Sequence, residues 1–135
     1  DKYGPGLTWL LELGRSVSGQ EYAELQALRD EFRAQLETLF TDVDVIVAPS
    51  MPVAAPSVIE MEEGGYSPDS APFLSFTAPF DYSGHPTLNV PAGLDAGGVP
   101  RSLQIIAARF NEGTLLKAGA LFEAALGQLT YPELL

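Results

Sequence analysis

Between Ser18 and Pro49 the hydrophobic period of this chain changes once, and that change restricts the possible folds most. SGQE at 18–21 matches a capping box, in which Ser18 and Glu21 satisfy each other's free backbone amides. Tyr22, Leu25, Leu28, Phe32, Leu36 and Leu39 follow at spacings of 3, 3, 4, 4 and 3. This is one stripe of an amphipathic helix running to Phe40, about 30 Å long at 1.5 Å per residue. Glu24, Arg29, Asp30, Arg33 and Glu37 fall between the apolar positions and are expected on the wet side. DVDVIVAP at 42–49 then drops the helical period for a short β-branched run without polar alternation after Asp44. A strand covered on both faces reads that way.

The remaining segments extend this helix-then-strand pattern. TWLLELG at 8–14 reads as a short helix with Gly14 suited to a left-handed C-terminal position. Pro49 ends the first strand's ladder, and Pro52 and Pro56 forbid regular structure just beyond it. EMEEGGYSPDSAP at 60–72 lies in an acidic surface loop spanning about 57–75. FTAPFDYSGHPTLNVPAG at 76–93 carries three prolines and two glycines among aromatic and aliphatic residues, and is expected to be a stiff loop entering a strand. TLNV at 87–90 and SLQIIAA at 102–108 are predicted strands joined by the turn GLDAGGVP at 93–100, hence antiparallel neighbours. A final helix, capped by Asn111 or Thr114, presents Leu115, Gly119, Phe122 and Leu126, with Leu116 and Ala125 widening the stripe. The expected architecture is α/β, about three strands with one long and one medium helix, in a single segment over residues 1–135. So small a sheet beside such helices is expected to continue in residues outside this chain.

Charge excludes some partners. The net charge is −11, and between Ala34 and Pro100 there are nine acidic residues and no Lys or Arg. Such a surface repels phosphate backbones and anionic lipid, so neither nucleic acid nor a membrane surface is an expected partner. No apolar run approaches the roughly 20 residues that span a bilayer. There is no basic, then apolar, leader pattern, and the start at Asp1 reads as a cut within a longer protein. The absence of cysteine removes disulfides and thiolate chemistry and fits a cytoplasmic location.

Acyl transfer needs a nucleophile, a base within hydrogen-bond reach and donors for an oxyanion. The sole imidazole is His85 in SGHP, with Asp81 four residues earlier and serines nearby. A histidine before proline in a turn reads first as a turn residue, and no GxSxG elbow accompanies it. Lys2 sits at the start of the chain and Lys117 on the last helix, neither in a base-like context. Glu60, Glu62 and Glu63 read as surface charge rather than metal ligands, and Gly97–Gly98 as turn punctuation rather than a phosphate cradle. The residues supply no self-sufficient catalytic constellation, no metal site and no cofactor site.

Two stretches together carry a resemblance. DVDVIVAPSMPVAAP at 42–56 resembles the strand-and-proline segment of the amidase signature family, D-V-hydrophobic-hydrophobic-P-[TS]-x-P-x-x-A-P. Phe76 to Leu126 is similar to that family's carboxy-terminal block, F-T-x-P-x-[ND]-x-x-G-x-P, a V/L-P-x-G strand, G-[LVM]-P-x-x-x-Q, then a helix with paired leucines and a late acidic residue. The matching positions here include Phe76, Thr77, Pro79, Asp81, Gly84, Pro86, Pro91, Gly93, Gly98, Pro100, Gln104, Leu115, Leu116 and Glu123. The long helix with Tyr22 and Arg29 also fits, so the likeness covers most of the chain in order.

The resemblance implies hydrolysis of a small carboxamide to carboxylate and ammonia by a Ser–cis-Ser–Lys triad, without a cofactor. No GGSS-like run and no lysine in suitable context occur here, so no catalytic role passes to any residue present. The chain is expected to be the last part of such an enzyme, inactive by itself, completing the sheet and forming one wall of the substrate pocket from Ser50, Met51, Phe76, Phe80 and Asp81. Asp81 and Gln104 are expected to hold backbone rather than substrate. Two alternatives are the A subunit of a glutamyl-tRNA amidotransferase, which is also a family member, and a non-catalytic partner-binding domain. Against the first, LSFT at 74–77 lacks the acidic residue that such components often place before F-T. An isolated terminal piece is expected to expose apolar surface and self-associate. A well-sealed globule with its imidazole clasped between a serine hydroxyl and a carboxylate would contradict the whole reading.

Overall fold

The computed structural model describes residues 2–60 and 73–127. Among the described residues seven principal elements follow one another: α1 (Pro5–Arg15), α2 (Gly19–Leu39), β1 (Val45–Pro49), α3 (Ala78–Ser83), β2 (Thr87–Leu94), β3 (Pro100–Ala107) and α4 (Glu112–Leu126). The strands form one antiparallel sheet in the order β1-β3-β2. The predicted α/β class, strand count and β2–β3 hairpin therefore hold. The greater part of the acidic loop expected at 57–75 lies outside the described residues.

The sheet buries one face against α4. Val90, Ile105, Ala107 and Leu115 form the core, with Val45, Leu88, Leu103, Ala118 and Phe122 packed around them. Alternation along β3 sends Leu103, Ile105 and Ala107 to this face, and Gln104 and Ile106 to the other. Gly119 is required where α4 meets β2, because a Cβ there would lie 2.3 Å from Leu88 Cδ2. Pro91 is tolerated within β2 because, among the described residues, that strand pairs only with β3, leaving one edge that needs no donor. The register slips between Pro91 and Leu94, and the turn beyond is closed by Asp95, whose Oδ1 accepts from the amides of Gly97 (2.8 Å) and Val99 (3.0 Å). The Val99 amide foremost holds the Asp95 carboxyl below its ordinary pKa.

Four sequence expectations are corrected. First, among the described residues β1 is an edge strand and is not covered on both faces, since Val47 is 54% exposed. A β-branched run reports strand geometry but not how many layers lie over it. Second, Gly14 does not end α1; the helix continues to Arg15, and Ser16 closes it in right-handed geometry. Third, the stretch expected to be a stiff loop contains α3, with proline in its first turn and Gly84 at φ 75° closing it. Proline early and glycine late are helix boundaries as much as loop punctuation. Fourth, SVIE at 57–60 is a second capping box: Glu60 accepts from the Ser57 amide (2.7 Å), Ser57 accepts from the Glu60 amide (3.2 Å), and residues 58–60 are helical.

The long helix has the predicted cap, with Ser18 and Glu21 bonded reciprocally at 3.2 and 2.8 Å. Its faces are used in an unexpected way. Of the apolar stripe only Leu36 is buried, while Tyr22, Leu25 and Leu28 are 60%, 46% and 57% exposed. Two arginines expected on the wet side are engaged instead, against α3. Arg33 Nε donates to the Ser83 carbonyl at 3.0 Å, Arg29 Nε to the Tyr82 carbonyl, and Tyr82 Oη to the Leu25 carbonyl. A six-residue helix has more orphan carbonyls than internal bonds, so its C-terminus demands donors rather than hydrocarbon.

Candidate functional site

The residues expected to line a substrate pocket are carried by the segment after β1 and by the segment leading into α3. Ser50 is buried, and its Oγ donates to Asn89 Oδ1 at 2.7 Å. Its amide donates to the Ser102 carbonyl at 3.3 Å, so this serine fastens the end of β1 to both other strands. Met51 lies beside it on a cavity of about 470 Å³ bordered by Pro49, Val53, Ala92, Val99 and Arg101. Phe76 and Phe80 are half-buried and flank the start of α3, and Asp81 is exposed in its first turn. A separate apolar hollow of about 480 Å³ lies among Leu74, Ala78, Pro79 and Tyr82. Met51 alone of the expected wall residues borders one of these two concavities; Ser50, Phe76, Phe80 and Asp81 line neither.

A row of side chains on the sheet face away from α4 joins these two regions. Register places Ala48, Gln104 and Asn89 side by side across β1, β3 and β2. Gln104 is 1% exposed, and its Nε2 donates to the Phe76 carbonyl at 2.7 Å. Gln104 therefore holds backbone, as its place on a strand suggests, and the backbone it holds is that of an expected wall residue. Asn89 carries no signal of its own in the sequence. Only the register reveals that it neighbours Gln104 on this face.

The sole imidazole is not a surface turn residue. His85 is 5% exposed, its ring stacks on Phe40 at 5.3 Å, and Nδ1 lies 2.8 Å from Ser83 Oγ. Nε2 faces Glu37 Oε1 at 3.6 Å. Burial pushes the imidazole pKa below its ordinary value; the Glu37 carboxylate acts the other way, while Arg109 and Arg33 reinforce burial. This is the serine–imidazole–carboxylate clasp that would count against a scaffold role, and its geometry separates it from a catalytic triad. Ser83 is fully buried, and its Oγ also lies 3.2 Å from the Phe80 carbonyl, so no acyl carbon reaches it. The second half of that condition, a sealed globule, is not met: Trp9, Leu10, Leu13, Tyr22, Leu25 and Leu28 are all at least 40% exposed. Among the described residues, no group of three or more His, Asp or Glu is placed to hold a metal ion.

Comparison with known proteins fits this geometry. A family model described as Amidase matches residues 1–116. "Putative amidase AmiD" of Mycobacterium tuberculosis (strain ATCC 25618 / H37Rv) is 36% identical over 128 residues, covering 94% of this chain and 27% of that protein. The A component of the glutamyl-tRNA(Gln) amidotransferase of Parvibaculum lavamentivorans is 35% identical over 114 residues, covering 83% of this chain and 22% of that one. A solved structure titled "Crystal structure of amidase" superposes with a TM-score of 0.80 at 29% identity, over 93% of this chain and 29% of that chain. The chain therefore spans a little over a quarter of the length of these two amidases. The mixed α/β architecture, the proline-rich segment after β1 and the sequence match agree: this chain belongs to the amidase signature family.

Proposed function

We propose that this chain is the C-terminal part of an amidase that hydrolyses a carboxamide to a carboxylate and ammonia, with the Ser–cis-Ser–Lys triad in the part that precedes it. In such a reaction a serine oxygen attacks the amide carbon, ammonia leaves, and water releases the acyl group. The present chain supplies scaffold and wall: Gln104 fixes the Phe76 backbone, and Ser50 and Asn89 fix the segment that carries Met51.

The observation that carries this reading is the apolar face of α1 and α2. A helix whose leucine stripe is exposed while its arginines are engaged is half of an interface. The share of the family fold spanned here leaves most of an amidase to cover it. The same bare face supports self-association of the isolated chain. The test is the preceding coding sequence: a Gly/Ser-rich loop and a lysine in a small-residue strand are expected there. Replacing that loop's serine by alanine in the full protein is expected to abolish ammonia release. A start codon immediately before Asp1 would instead select the freestanding binding domain.

A second reading has its own support in the 35% identity to the A component of an amidotransferase. It predicts companion chains that co-purify and ammonia drawn from glutamine; a protein that purifies alone and hydrolyses simple amides excludes it.

A further inference from the structure

Phe110 conflicts with its own backbone. The connection from β3 to α4 contains a hydrogen-bonded turn over 108–111, closed by the Asn111 amide donating to the Ala108 carbonyl at 3.1 Å. Phe110 occupies the third position of that turn at φ 61°, the one non-glycine residue with positive φ among the described residues. Turns of this geometry take glycine or asparagine there, because a larger side chain crowds the backbone. On backbone grounds phenylalanine is a poor choice, and its ring gains little from this chain in return. It is 84% exposed, more than any other large apolar side chain among the described residues. The Arg109 guanidinium lies over the ring, 4.9 Å from its centre. Arg109 is itself anchored, since its Nε is buried beside Gly84.

We propose that Phe110 is an anchor for the part of the protein that precedes this chain, its ring seated in an apolar socket there and the left-handed turn holding it out from the surface.

Position and extent favour this occupant. The turn leaves β3 beyond Ala107, whose register partner Val45 opens β1, so Phe110 stands at the end of the sheet where α2 hands over to β1. At that handover Leu39, last of the α2 stripe, and Val43 are exposed as well. The chain spans 27% of one amidase relative and 29% of the solved amidase on which it superposes, so the greater part of the fold lies outside it. An aromatic side chain already fixed by a closed turn and a stacked guanidinium loses little freedom on being seated, as interface anchors require. Strain kept at an exposed apolar residue is otherwise a cost without a return. The anchor rests on the amidase reading in one respect, the existence of a preceding part, and is independent of the chemistry performed there. A second copy of this chain is the competing occupant.

Opposite signs separate an anchor from an idle strained residue. Phe110→Asn keeps the turn with a residue that tolerates it. In the isolated chain its urea midpoint is expected at or above that of wild type, because only an exposed ring is lost. In the chain joined to its preceding sequence the midpoint is expected below wild type, because a filled socket is emptied. Phe110→Leu keeps the backbone penalty and part of the apolar volume. Its midpoint in the joined protein is expected below wild type and above that of Phe110→Asn, and it decides the matter where the asparagine variant does not fold. A joined protein whose midpoint rises or stays in place with these substitutions overturns the anchor. If Phe110→Asn abolishes association of the isolated chain while the joined protein is unaffected, the second copy is the occupant and the anchor is again overturned. A start codon directly before Asp1 removes the amidase reading and the anchor together. A preceding part that supports ammonia release, with a midpoint insensitive to Phe110, removes the anchor alone.

Discussion

Two glycines show how single positions decide this fold. At Gly119 two effects of opposite sign compete: alanine improves helix propensity by about 1 kcal/mol, and its methyl overlaps Leu88 Cδ2. Overpacking costs about 1–3 kcal/mol when the neighbour cannot move freely, and Leu88 is packed against the core. Gly119→Ala is therefore expected to destabilise by about 1 kcal/mol in urea denaturation. The same change in a Leu88→Ala background is expected to be neutral or stabilising, since the clash is gone. Gly84 is different: a Cβ there meets Arg109 Nε only at 3.9 Å, so the cost of Gly84→Ala is the left-handed backbone alone, about 1 kcal/mol. Gly119 is legible from sequence as a member of the buried stripe, though not as a close approach. His85 is not legible in the same way, because a histidine-proline pair gives local geometry and says nothing of what packs above it. Its partners Glu37 and Phe40 lie more than 40 positions away.

Among the elements, α2 is both the most legible and the most misleading. Period and capping box give its limits to within a residue, because both are local. Which face it buries is not local, and the arginines expected in water hold the end of α3. Arg33→Ala is expected to cost about 1–2 kcal/mol, the loss of a charged donor to a carbonyl. Arg33→Lys is expected to recover only part of it, because an ammonium does not reproduce the planar Nε–H. The two capping boxes add a pH signature. Glu21 and Glu60 are both held below the usual carboxylate pKa, first by the backbone amide of the serine each one caps. Groups so shifted contribute stability above the usual value of 4.5, and lose it as pH falls through their lower folded-state values. Circular dichroism is therefore expected to show helix content falling below about pH 4.5, with Glu21→Gln weakening that dependence. The signals of α3, proline first and glycine last, belong equally to turns, and six residues are too few to show a period.

For the molecule as a whole, the sheet and α4 make a real core, while α1 and much of α2 lie over nothing among the described residues that covers their apolar side. Sedimentation of the isolated chain is expected to show association that grows with concentration, and a clean monomer at high concentration would count against the bare face as an interface. The architecture is readable from sequence because it rests on period and turn chemistry. The site is only half readable, because the candidate wall residues depend on register: Gln104 reaches Phe76 across 28 positions, and Ser50 reaches Asn89 across 39. If this chain shapes a pocket whose bond-breaking groups lie elsewhere in the protein, catalysis must depend on the sequence that precedes it. Ammonia release from simple aryl and aliphatic amides, measured on the isolated chain and on the chain joined to its preceding sequence, examines that dependence. No turnover is expected from the first and turnover from the second; hydrolysis by the isolated 135 residues would contradict the assignment of scaffold and wall to this chain.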